Sequence, residues 1–280
     1  MRIGLTVFLT DRTIDPVTLA REAEARGFDS LYFPEHTHIP ISRVTAPPTG
    51  DDELNDEYKR TLDPLIAIGA AAAVTSSLGL GTGVSLVAQH DPIVMAKQLA
   101  TLDLISNGRI TLGVGFGWNQ DEMAHHGVAY SNRRDQAREH VLAMIKLWSQ
   151  QEASYDGVFV RFSASWSWPK PVQQPRPRIL VGGGAGPKLF AHIAEYADGW
   201  FPIGGGGVRD ALPALHQAWD AASRPGAPEV VPFGVVADAG KLEYYRTLGC
   251  SEVVLRVVGA DRDATLRQLD ALASTALIGL

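Results

Sequence analysis

Residues 65–90 read LIAIGAAAAVTSSLGLGTGVSLVAQH, a run without a single Asp, Glu, Lys or Arg. Its length would suffice for a bilayer span, which needs about 20 apolar residues. Three features spoil that reading: the polar break Thr75-Ser76-Ser77, the glycines at 79, 81 and 83, and the polar end Gln89-His90. A buried helix followed by a buried strand explains the run better, and that pair is one repeat of an α/β protein. The helix is expected over 62–76 and the strand over 79–86.

Working outward, the same alternation fills the chain. Strands are expected at 3–9, 30–35, 79–86, 109–115, 178–182, 199–203, 230–236 and 252–258. Helical patterns lie at 15–26, 62–76, 91–106, 131–150, 187–197, 208–222, 239–248 and 262–275. Asp15-Pro16, Asp91-Pro92 and Gly186-Pro187 read as helix starts, and Gly27, Asn107-Gly108 and Gly249 as stops. Eight strands, each followed by a helix, is the count of a (β/α)₈ TIM barrel, whereas a doubly wound open sheet rarely needs eight units. No linker interrupts the pattern, so residues 1–280 are expected to form one domain. Two segments depart from it. Residues 37–61 make a polar loop after the second strand, which in a barrel lies over the C-terminal mouth as a lid. Residues 152–177 insert a hairpin around Tyr155–Val160 and the stretch Trp166–Pro171 before the fifth strand.

Composition narrows the partners. The 280 residues carry a net charge of −6, which argues against nucleic acid and against a polybasic membrane contact. The single cysteine, Cys250, excludes an internal disulfide and any multi-cysteine metal site, and points to a reducing cytoplasm. Ile3 to Leu9 is too short for a signal-peptide core and is followed at once by Asp11 and Arg12.

Two kinds of residue carry the chemistry. Gly182-Gly183-Gly184-Ala185-Gly186-Pro187 ends a strand and opens a helix, with Lys188 adding a point charge. Glycines admit close backbone approach, and free N–H groups at a helix start attract phosphate, so this run reads as a phosphate cradle. Gly204–Gly207 repeats the placement one unit later. Pro34-Glu35-His36-Thr37-His38 ends the second strand, where a histidine points into the mouth and exchanges protons near neutral pH. His-x-His also invites a metallohydrolase reading. The other strand ends lack its further ligands: the fourth ends in Gly115-Phe116-Gly117-Trp118 and the eighth in Arg256-Val257-Val258. No metal is therefore expected. His125-His126 are adjacent and point different ways, Trp148 sits at core spacing, and Asp198-Gly199-Trp200 reads as structural.

Taken together, the chain resembles the bacterial luciferase-like family of flavin and deazaflavin barrel enzymes. The likeness is carried by residues 25–31 (ARGFDSL) running into Pro34-Glu35-His36, by Leu80–Val84, by Asp91-Pro92, and by residues 108–119 (GRITLGVGFGWN). It continues in Trp168–Pro171, Val181–Gly184 and Ala197–Trp200. Within the family it looks most like the branch using coenzyme F420, a deazaflavin, with FMN as the alternative. The resemblance implies hydride transfer to or from a small organic substrate, a homodimer, and a non-proline cis peptide at Gly83–Val84 behind the cofactor ring. It places Glu35 and His36 as catalytic residues, with His36 the acid or base. It assigns Gly83, Val84, Gly115, Gly117, Trp118 and Gly182–Gly184 to the cofactor, the last three to its phosphate. Some F420 dehydrogenases of the family have a glutamate where this chain has Trp118, so the sugar-phosphate activity is not implied. FMN in the pocket would mean monooxygenation, and a non-catalytic F420 carrier is the alternative outside enzymes.

Overall fold

Pro232 cannot donate to a sheet and Gly234 adopts φ +71°, so the seventh strand expected at 230–236 is split in two, and this split is where the sheet closes on itself. A computed structural model describes residues 1–46 and 53–277. In chain order the elements are β1 (Arg2–Thr6), α1 (Pro16–Ala25), β2 (Ser30–Phe33), α2 (Asp56–Arg60), α3 (Pro64–Ala72), β3 (Gly79–Thr82), α4 (Pro92–Ser106) and β4 (Ile110–Val114). Then come α5 (Gln120–His125), α6 (Arg133–Ser149), β5 (Ala153–Asp156), β6 (Arg161–Ser165), β7 (Arg178–Gly182), α7 (Pro187–Tyr196) and β8 (Gly199–Phe201). The chain finishes with α8 (Val208–Ala221), β9 (Glu229–Val230), β10 (Phe233–Val235), α9 (Ala239–Thr247), β11 (Glu252–Arg256) and α10 (Arg262–Ala276).

The main sheet is parallel, in the order β10-β11-β1-β2-β3-β4-β7-β8-β9. Its two ends, β9 and β10, are the halves of the split strand, and Phe233 bridges back to Ile203 beyond β8. The nine short strands are therefore eight staves of a closed barrel, as the alternation predicts. All eight expected helices are present, and α2 and α5 are additional short ones. Expected caps hold: the Asp15 carboxylate accepts from Thr18 N–H at 2.9 Å, and Asp91 from Ile93 and Val94 N–H at 2.8 and 2.9 Å.

Several staves stop short of their expected C-terminal ends. β3 ends at Thr82 because the Gly83–Val84 peptide is cis, as the resemblance implies, and pairing resumes only at Ser85↔Val114. The 152–177 insertion is an antiparallel hairpin, β5 with β6, whose turn is tied to α6 by the Glu139 carboxylate accepting from Val158, Phe159 and Val160 N–H.

Two apolar layers hold the barrel. The outer one packs helices on strands, with Ile3, Leu31, Ile68 and Leu99 fully buried. Each such side chain contributes roughly 1.5–3 kcal/mol. The inner one contains Tyr32, Leu180, Phe201, Val231, Phe233 and Val254, with Tyr32 edge-on to Phe201 at 5.3 Å. Below it lies a polar plug. Glu252 accepts from Ser30 and Tyr32, and the Arg178 guanidinium reaches Glu252, Glu229 and the Tyr32 hydroxyl. With the N-terminal end plugged, the C-terminal mouth is the end of the barrel that opens to a ligand among the described residues.

Candidate active site

That mouth holds a cavity of about 610 Å³, walled mainly by apolar groups. Of the residues expected at the site, Glu35, His36, Gly83, Val84, Gly115, Gly117, Trp118, Gly182 and Gly183 line it. Gly184 and Lys188 do not: Gly184 lies in the loop before α7 and Lys188 in its first turn, and both are exposed. The described part of the 37–61 segment does lie at the mouth, with Asn55, Glu57 and Tyr58 in the wall. Residues 47–52 of that segment are outside the described residues.

The β2 end supplies two different side chains. Glu35 is only 4% exposed; its Oε2 accepts from Ser85 Oγ and Leu86 N–H, each at 2.6 Å, and its Oε1 lies 2.6 Å from His90 Nε2. Burial alone would raise the pKa of this carboxyl, but the hydrogen bond and charge of His90, with Ser85 and Leu86, hold it below the ordinary value. His90 is half-buried, which opposes its charge, yet Glu35 raises it above the ordinary imidazole value. Glu35, expected as a catalytic residue, thus lines the cavity while both its carboxylate oxygens fasten the turn after β3.

His36 does face the cavity. Its Nδ1 is 2.8 Å from Oε2 of Glu122, which is 1% exposed and whose Oε1 accepts from Thr37 N–H at 3.2 Å. A carboxylate on Nδ1 fixes that nitrogen as the donor and leaves Nε2 to exchange a proton. Nε2 has no hydrogen-bond partner among the described residues. The ring sits between Tyr58 (centroids 5.3 Å) and the edge of Trp118 (5.8 Å). Glu122 is delivered by α5, whose start is capped by Asn119.

Val84 forms a shelf beneath these groups. A Cβ on Gly115 would lie 2.3 Å from Val84 Cγ2, and one on Gly182 2.9 Å from Val84 Cγ1. One on Gly83 would lie 2.3 Å from the Phe233 ring. These glycines make room for protein side chains, and for Gly182 that is a different reason from the ligand approach read in the sequence. Gly183, at φ +143°, does open onto the cavity, and Trp200 Nε1 donates to its carbonyl at 2.8 Å.

Besides Arg256, the cavity's positive charge comes from Arg133 and Arg134, in the first turn of α6. Their guanidinium groups rest on aromatic faces, Arg133 at 3.6 Å from the Tyr130 centroid and Arg134 at 4.6 Å from that of Phe116. Sequence reasoning passed over both, as it did Glu122 and His90. A signal existed for the arginines: cations at a helix N-terminus oppose the helix dipole, so two in a row there need a reason. Arg133 Nε and Trp118 Nε1 are buried donors with no partner among the described residues.

At the rim, Thr37 Oγ1 contacts His126 Nε2 (2.7 Å) and His38 Nδ1 (3.0 Å), and His38 Nε2 contacts His125 Nδ1 (2.8 Å). Among the described residues no group of three or more His, Cys, Asp or Glu side chains is arranged to hold a metal ion. No described helix is long and apolar enough to cross a membrane.

A family model described as luciferase-like monooxygenase matches residues 12–243. An uncharacterized protein of Mycobacterium tuberculosis is 46% identical over 277 residues, covering 98% of both chains. The F420-dependent glucose-6-phosphate dehydrogenase of Kineococcus radiotolerans is 29% identical over 73% of this chain and 58% of its own. The FMNH(2)-dependent dimethylsulfone monooxygenase of Pseudomonas putida is 32% identical over 42% of this chain and 32% of its own. Among solved structures, monooxygenase RslO1 of Streptomyces bottropensis superposes with a TM-score of 0.77 at 21% identity, covering 99% of each chain, which supports the fold alone.

Proposed function

This chain belongs to the luciferase-like monooxygenase family, and from that premise we propose that it is an F420-dependent oxidoreductase moving hydride between the deazaflavin and a small organic substrate. The observation that carries the reading is the His36–Glu122 pair at the cavity wall, an oriented proton donor and acceptor of the kind that hydride transfer to or from a carbonyl requires.

The cavity's residues fit such a cofactor. Val84 and Leu86 offer an apolar shelf, while Trp118 Nε1 and Arg133 Nε are donors left without protein partners. Arg133, Arg134 and the Gly183 backbone suit a phosphate. Bound F420 supplies a two-electron hydride carrier that reacts poorly with oxygen, whereas FMN there permits monooxygenation. The protein's own part is to position and protonate. His36 Nε2 takes or gives the proton at the substrate oxygen, Glu122 holds the imidazole in one tautomer, and Glu35 with His90 fixes the turn that carries Val84. The longer match to the F420-dependent relative, 73% of this chain against 42% for the FMN-dependent one, favours the deazaflavin.

The test is separate titration of the purified protein with F420 and with FMN. F420 is expected to bind about tenfold or more tighter, a difference of about 1.4 kcal/mol. Purification with stoichiometric FMN would instead establish the monooxygenase reading, which the Pseudomonas putida relative supports. F420 binding without turnover on any substrate would leave a carrier.

We propose a homodimer as well. Ile66 on α3 and Val94, Leu104 and Ile105 on α4, all more than half exposed on two neighbouring helices, are the apolar residues that support it. Val94→Glu is expected to convert a dimer to a monomer in light scattering coupled to gel filtration.

A further inference from the structure

A second, smaller cavity of about 360 Å³ adjoins the first, and Phe8, Asn55, Glu57 and Arg256 line both. Its character is opposite to that of its neighbour, for it is ringed by Arg12, Arg60 and Arg256 with Asp56 and Glu57. Arg12 and Arg60 are neutralised: Asp56 accepts from both, at 3.2 and 2.7 Å, and Asp11 takes a further bond from Arg60 at 2.9 Å. Arg256 is paired more loosely: its ion-pair partner among the described residues is Glu57 Oε1 at 3.7 Å, beyond hydrogen-bond range, and neither side chain makes a side-chain hydrogen bond among the described residues.

The guanidinium fork of Arg256 thus stands half exposed and open at the doorway between an apolar chamber and a polar one. One guanidinium with its donors unused matches one negative charge that takes the place of Glu57, and its planar donors match a carboxylate in two-point contact. A phosphate dianion would call for more than one such cation. The larger chamber, with Val7, Phe8, Val84 and Phe233 in its wall, suits an apolar body. We propose that the smaller cavity is the substrate's headgroup subsite, taking a carboxylate carried on an apolar body, with Arg256 as the specificity-determining residue and Glu57 as the group it displaces. The inference rests on reading the larger cavity as the cofactor and substrate chamber. Glu57 suits the displaced role, because its burial, only partly opposed by Arg256, raises its pKa and eases the loss of its charge beside an incoming anion.

The test is calorimetric titration of the full chain with octanoate, octan-1-ol and acetate as probes. Octanoate is expected to bind about tenfold or more tighter than either, since only it offers both charge and chain. Arg256→Gln should remove that advantage while octanol binding is unchanged. Glu57→Gln should tighten octanoate several-fold by removing the competing carboxylate. Equal affinity for octanoate and octanol, unchanged octanoate binding in Arg256→Gln, or weaker binding in Glu57→Gln would overturn the proposal. So would a loss found in Arg134→Gln instead, which would put the carboxylate at the opposite wall. F420 titration of the same samples keeps the two readings apart. A chain that binds octanoate through Arg256 but not F420 fails only the cofactor reading.

Discussion

On the β2–β4 side of the mouth each buried carboxylate meets a partner within the protein: Glu35 meets His90, Ser85 and Leu86, and Glu122 meets His36 and Thr37. On the α6–β7–β8 side, Arg133 and Arg134 rest on aromatic faces, and the backbone near them is glycine. The first wall is pre-organised, so its groups are held in place before any ligand arrives. The second is only partly satisfied, for Arg133 donates to the Tyr130 carbonyl while its Nε and the Arg134 guanidinium have no hydrogen-bond partner among the described residues, and an anion would complete it. Proton transfer needs a fixed geometry, whereas capture needs unspent charge, and the cavity puts the two on opposite sides.

If that division holds, damage to the first wall should appear in turnover. His36→Ala is expected to lose at least about 10²-fold in kcat on any substrate the wild type converts, with F420 affinity within a few-fold. Glu122→Gln should follow it in direction, because a rotated amide can donate to Nδ1 and force the wrong tautomer. Steady-state kinetics beside cofactor titration checks both. Loss of cofactor binding in His36→Ala would erase the contrast between the walls.

Damage to the second wall should appear in affinity. Replacing Arg133 and Arg134 together by Gln is expected to weaken F420 by about tenfold or more, since a charge-assisted hydrogen bond is worth roughly 1.5–3 kcal/mol. The wild-type affinity should fall with salt and that of the double variant much less. Calorimetry at two salt concentrations decides it.

A smaller effect sharpens the first wall further. Glu35→Gln should cost about 1–3 kcal/mol in urea unfolding, because the amide satisfies some of its three partners and leaves His90 without its anion. Unchanged stability would mean that the Ser85–His90 turn does not need the carboxylate.

The smallest effect is a pH profile. Glu35 is held below its ordinary value, so its share of stability is present above about 4.5 and is lost as pH falls through the lowered pKa. His90 is raised, so its share is complete below about 6.5 and is lost as pH climbs through the raised pKa. Tm is expected to be highest between those limits and to decline on the alkaline side, with a flatter decline in His90→Gln. Differential scanning calorimetry across that range reads it directly.

The fold was legible because its signals are periodic and local. The helix and strand halves of residues 65–90, the Asp15 and Asp91 caps, and the eightfold alternation all depend on neighbours in sequence. The split at Pro232 was readable in principle, as proline within a run marks a break. The site was legible only where a side chain sits at a strand end, as His36 does. Its partner Glu122 lies 86 positions away on a one-and-a-half-turn helix, and no periodicity announces that meeting. Glu35 and His36 are adjacent and look alike in sequence; only packing sends one carboxylate into the wall and the imidazole toward the cavity. Gly83, Gly115 and Gly182 do line the cavity, but a sequence cannot say whether a ligand or a neighbouring side chain fills the missing Cβ space, and around Val84 it is the side chain.

The pairing of β1 has a consequence for how the molecule is made. Along one edge Gly4 pairs with Ser30, which leaves the ribosome soon after it, but along the other Arg2 pairs with Glu252. At about 5–20 residues per second, synthesis leaves that second edge bare for roughly 12–50 s. Through that interval the newborn chain displays an unpaired strand carrying Ile3 and Leu5, the kind of surface that invites a wrong neighbour. Glu252 also completes the polar plug, so the last stave both seals the edge and closes the floor. Until it arrives there is no cavity, and a translating cell must shelter the chain before it can use it.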